Sequence, residues 1–159
     1  DPNPTGHSGS PFFQISEELK RQSQDFYYMC LGIQSSSNSA ALFERACDLE
    51  VHWKSASEIH HLHKNVIHQA IEAFATNVDY LYLSVCLDAF GSAFAPGVSA
   101  PTPLGLLPRD FDKILEGVKK TKKLIAADIV ELNPLVDIND QTSRLAAQLC
   151  YKLIEALQT

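Results

Sequence analysis

Three short and nearly uninterrupted apolar runs constrain this chain most: residues 26–33 (FYYMCLGI), 79–86 (DYLYLSVC) and 124–132 (LIAADIVEL). Each has the length of a strand buried on both faces and is far too short to cross a membrane. Segments of helical periodicity lie around them, at residues 15–24, 40–49, 60–77 and 110–119 and in a final helix running to residue 157. A short strand is expected at 51–53. Strand and helix alternate, which predicts an α/β fold: a three-layer αβα arrangement with a mainly parallel sheet. Ligands of such sheets bind in the crevice at the C-terminal strand ends, so residues 34–38, 86–88 and 131–133 are the ones to inspect.

Finer expectations follow from local chemistry. Asn38 or Ser39 caps the helix at 40–49, and Ser57 with Glu58 precedes the helix at 60–77. In that helix Val66, Ile67, Ala70, Ala73 and Phe74 face inward. Phe111, Ile114, Leu115 and Val118 form the apolar side of the next helix. Asn139 or Asp140 caps the last, which turns Leu145, Ala146, Leu149, Leu153 and Ile154 inward. Residues 89–108 make a long loop rich in proline, of the kind that is functional or disordered.

The chain has 159 residues, 45% of them hydrophobic and 20% charged, which fits one domain with a real core and excludes a disordered chain. A net charge of −6 argues against nucleic acid as a partner, and no apolar stretch approaches a membrane span. The expected partner is a small-molecule substrate, with room for a homo-oligomer. Cys30, Cys47, Cys86 and Cys150 are far apart and form no CxxC pair, and all but Cys47 sit in apolar runs, which reads as buried free thiols in a reducing cytoplasm. The N-terminal DPNPTG is neither a signal peptide nor a targeting helix. The chain is expected to begin at a processed site or inside something larger.

Few residues carry chemistry. Ser84, Cys86 and Asp88 alternate, so they share a face where their strand runs out. Asp88 is there either a cap or a metal ligand. Glu131 ends an apolar run, where a carboxylate is costly unless it is paired. An internal salt bridge and a cationic ligand both answer that need. His60, His61 and His63 form no HExxH or HxxxH pattern and read as a solvated helix start. His7 lies in a Gly/Ser turn whose backbone N–H groups can approach a polar ligand. There is no phosphate-binding glycine loop and no GxSxG nucleophile elbow.

Longer motifs resemble a known family. Ser84-Val85-Cys86-Leu87-Asp88, followed by the loop from Ala93-Phe94-Ala95-Pro96-Gly97 to Pro101, resembles the last metal motif of the arginase/agmatinase (ureohydrolase) family. Ala127-Asp128-Ile129-Val130-Glu131-Leu132-Asn133-Pro134 is similar to its D-I-x-E-x-N-P segment. The turn His7–Phe12, the stretch Leu31–Asn38 and the Gly97–Pro101 wording look like its formimidoylglutamase branch. The resemblance implies a binuclear manganese centre, partial here, and hydrolysis of N-formimidoyl-L-glutamate to L-glutamate and formamide. It implies that Asp88 is a metal ligand and that Glu131 pairs with the cationic formimino group. Cys86 stands where the family has its first aspartate, and His7 lies near a proton-relay position. Gln34 and Asn38 occupy the loop that would read the glutamate end of the substrate. The family's two earlier metal motifs are absent, so residues 1–159 are expected to be the C-terminal portion of a single domain. Another ureohydrolase with a guanidino substrate, or a noncatalytic fragment, are the alternatives.

Overall fold

The structure, a computed structural model, describes residue 6 and residues 10–158. It has the αβα architecture expected, with parallel strands linked by helices. In chain order it runs α1 (Pro11–Arg21), β1 (Met29–Ile33), α2 (Ala40–Asp48), β2 (His52–Ser55), α3 (Ala56–His61), α4 (Lys64–Ala75), β3 (Leu81–Cys86), α5 (Pro108–Thr121), β4 (Leu124–Val130) and α6 (Gln141–Leu157). Among the described residues the strands form two separate parallel pairs, β1 with β2 and β3 with β4. Leu83 aligns with Ala127 and Cys86 with Val130, so β3 and β4 finish together.

The strands are less buried than their composition suggests. Ile125 and Tyr82 are more than half exposed, at 61% and 55%. Strand side chains point out of the two faces of the sheet, and cover depends on what packs on each face, so an apolar run alone does not guarantee it. The core lies mainly where helices meet: Ile67 and Ile71 of α4 against Phe111, Ile114, Leu115 and Val118 of α5, with Leu149 and Leu153 of α6. The four α5 residues are those expected from periodicity.

The expected helix at 60–77 is two helices. Ser55 and Glu58 form a reciprocal capping box that starts α3 several residues early. Leu62 then leaves helical geometry, and the His63 side chain accepts from Asn65 N–H to start α4. This phase turns Ile67, His68, Ile71 and Ala75 inward, while Val66 and Ala73 are exposed. The cap of α6 also differs. Asp140 makes no side-chain cap bond, and Asp137 instead accepts from the N–H groups of Thr142 and Ser143, each at 2.9 Å. Ile154 of that helix is half exposed.

The long loop is part of the core. Phe90, Ala95, Val98 and Leu106 are all buried. Its two ends are pinned by Gly91 N–H to Leu106 O and Leu106 N–H to Ala89 O, at 3.0 and 2.8 Å. Leu106 in turn fills the space beside Gly32 of β1. A Cβ on Gly32 would lie 2.6 Å from Leu106 Cδ1, and its φ of +98° is itself a conformation for glycine.

Candidate functional site at the strand ends

β3 and β4 end side by side, and their last residues supply the acidic groups. Beyond Cys86 the chain enters a single short turn, Leu87–Ala89. Leu87 is fully buried and Phe90 nearly so, which anchors the turn and leaves Cys86 and Asp88, two residues apart, half-buried together. The Cys86 thiol donates to Asp88 Oδ1 at 2.6 Å. Burial, that hydrogen bond, the Asp88 charge and the charge of Glu131 together push the thiol up to about 12. Glu131 therefore belongs to the same electrostatic cluster.

Glu131 has left the strand. Its φ of +72° places a non-glycine residue in the left-handed region, which costs about 1 kcal/mol. It forms no ion pair among the described residues. The segment behind it is fixed to the long loop: Asn133 N–H donates to Gly97 O at 2.8 Å, and Gly97 N–H donates to Thr142 Oγ1 at 2.6 Å. A Cβ on Gly97 would lie 2.5 Å from Cβ of Asp137, so glycine is required for this approach.

Gln34 and Asn38 lie in the loop after β1. Gln34 Nε2 donates to Leu104 O at 2.8 Å, which joins that loop to the tip of the long loop. Asn38 Nδ2 donates to Gln34 O at 2.7 Å. Cys86, Asp88 and Glu131 thus form one group, Gln34 and Asn38 lie on a different loop that meets the tip of the long loop, and His7 lies outside the described residues. Ahead of β1, Tyr28 hydrogen-bonds Cys30, and burial is the main cause that raises the phenol's pKa.

The histidine cluster divides. His61 is exposed, with Nδ1 2.7 Å from Ser57 O. His60 instead lies 2.6 Å from Oδ2 of Asp110, which is fully buried. Asp110 also receives Lys113 Nζ at 2.9 Å and Leu107 N–H at 3.0 Å. The reading of His60 as a solvated helix start is thereby corrected: it partners a buried carboxylate. Sequence reasoning also missed His68, 97% buried, whose Nδ1 accepts from Lys120 Nζ at 2.9 Å and whose Nε2–H faces Lys113 O at 3.1 Å. The signal for both lies in α5, whose Asp110 and Lys113 sit one turn apart, but only packing brings them to α3 and α4.

Among the described residues no group of three or more His, Cys, Asp and Glu side chains is arranged to hold a metal ion. Cys86 and Asp88 supply one soft and one hard donor, and the first already occupies an oxygen of the second. These residues do not by themselves fit a pair of hard divalent cations. No helix among them is long and apolar enough to cross a membrane.

Residues 2–155 match the model of the arginase family. The chain is 41% identical over 152 residues to formimidoylglutamase of Ralstonia nicotianae, covering 96% of this chain and 47% of that protein. It is similar in structure to formimidoylglutamase of Bacillus subtilis, with a TM-score of 0.82 and 27% identity over 98% of this chain and 49% of the other. Proclavaminate amidino hydrolase of Streptomyces clavuligerus is a further structural relative, with a TM-score of 0.70 and 26% identity over 91% of this chain and 46% of that one. The chain spans about half the length of the curated relatives it matches.

Proposed function

Because this chain belongs to the arginase family, we propose that it is the C-terminal portion of a single-domain C–N hydrolase that converts N-formimidoyl-L-glutamate to L-glutamate and formamide. The observation that carries the reading is the match, over nearly the whole chain, to proteins named for that reaction. The geometry at Glu131 supports it. A half-buried carboxylate that forms no ion pair among the described residues, held out of its strand in the left-handed region, is suited to a cationic ligand. Formimino and guanidino carbons both carry N–H groups on a delocalised cation. A carboxylate orients such a group through charge-assisted hydrogen bonds, which strengthen as water is excluded.

In this proposal Glu131 holds the formiminium N–H groups and fixes the reacting carbon. Gln34 and Asn38 read the glutamate end, and His7 has the proton-relay role that the resemblance implies. The family is one of binuclear metal enzymes, whose ions supply an activated hydroxide. Manganese is the ion we propose for ligand positions outside this chain. Cys30, Cys47, Cys86 and Cys150 are free thiols, Cys47 and Cys150 exposed rather than buried as expected, and four unpaired thiols support a cytoplasmic location.

The hydrogen bond that ties up Asp88 favours a second reading, a noncatalytic chain. One experiment separates the two. The chain is joined to the preceding half of the Ralstonia relative, supplied with manganese, and assayed for formamide from N-formimidoyl-L-glutamate. Formamide release supports the hydrolase. Its absence, with a folded product, supports the noncatalytic reading, and turnover only of a guanidino compound moves the substrate class.

A further inference from the structure

The motif resemblance implies two aspartates at the end of this strand, where the chain offers Cys86 and Asp88. We infer that the Cys86–Asp88 pair rejects the hard, manganese-class cation that paired aspartates hold, and that Cys86 is the residue responsible. The inference rests on the family membership and on the motif resemblance that sets Cys86 at the first aspartate position.

Three observations support it. Manganese favours carboxylate oxygen, and sulfur is a soft donor that suits thiophilic ions instead. The Cys86 S–H points at Asp88 Oδ1, 2.6 Å away, so the remaining hard donor has one oxygen engaged before any ion arrives. The pair also cannot easily open. It brackets Leu87, which is 0% exposed, and the next anchor, Phe90, is 1% exposed. No third acidic, histidine or cysteine side chain among the described residues completes a metal site beside it.

The test is titration of this chain with Mn2+, followed by the paramagnetic resonance of the free ion. The wild type should sequester no more Mn2+ than Asp88→Asn. Cys86→Asp should bind at least about tenfold more tightly than the wild type, and Cys86→Ser, which brings no carboxylate, should not. Should Cys86→Asp fail to fold, the wild type still decides. Sequestration of Mn2+ by the wild type that is lost in Asp88→Asn overturns the inference. So does a folded Cys86→Asp that binds no better than the wild type. Formamide release by the joined domain is read independently of Mn2+ sequestration by this chain, so a failure of the inference and a failure of the proposed function are distinguishable.

Discussion

Asp110 and Asp88 are both aspartates beside a proton donor, yet their surroundings are opposite. Asp110 is fully buried at the start of α5, and Lys113, Leu107 N–H and His60 converge on its two oxygens. Asp88 is half-buried at a strand end and receives one thiol. Burial raises the pKa of Asp110, but the Lys113, Leu107 and His60 hydrogen bonds outweigh it and hold the carboxyl below its ordinary range. A fully buried carboxylate with both oxygens engaged by three donors is closed to an outside ligand and acts as a clasp between α3 and α5. The strand-end group, by contrast, has Glu131 without an ion pair among the described residues and Asp88 half-engaged. The ready availability of acceptor oxygens, rather than the presence of a carboxylate, separates a candidate site from a structural joint.

The comparison breaks most readily at the clasp. Asp110→Ala should destabilise the fold by about 3 kcal/mol in urea unfolding, since it leaves His60, Lys113 and a backbone N–H without their shared acceptor. A change within the scatter of surface substitutions would show that the cluster joins nothing. At the open end, Glu131→Gln in the joined whole domain should lower kcat/KM about 100-fold while stability and metal content hold. Loss of metal instead would make Glu131 a ligand.

Asp137 sharpens the contrast, because it is a partnered carboxylate at the rim of the candidate site. Desolvation raises its pKa, but the N–H groups of Thr142 and Ser143 outweigh this and lower it to about 2. A depressed carboxyl stabilises the native state above its unfolded value and loses that contribution as pH falls through its folded value. Asp137→Asn should therefore unfold in less urea than the wild type at neutral pH. The gap should narrow between the ordinary value of 3.8 and about 2, and a gap constant with pH would refute the capping role. The smallest effect is expected at the neighbour of the clasp. His61→Ala should shift stability by less than about 0.5 kcal/mol, while His60→Ala costs about 1 kcal/mol. Equal losses would mean that the exposed histidine was wrongly separated from the buried one.

Much of this was legible in the residues. The apolar runs located β1, β3 and β4 because a buried strand needs continuous apolar side chains, and period alone set the buried face of α5. Cys86, Asp88 and Glu131 were singled out because parallel strands end on one side of a sheet, which the register of β3 with β4 shows. Local hydrogen-bond competition defeated the reading elsewhere: Ser55 rather than Ser57 starts a helix, and Asp137 rather than Asn139 or Asp140 caps α6, since several nearby side chains had the right chemistry. The Asp110 joint with His60, the burial of His68, and the packing of residues 89–108 into the core depend on contacts between residues far apart in the chain. Periodicity and composition report what one segment prefers by itself. Which acidic groups are closed and which stay open is decided by partners that only the tertiary fold brings within hydrogen-bond reach.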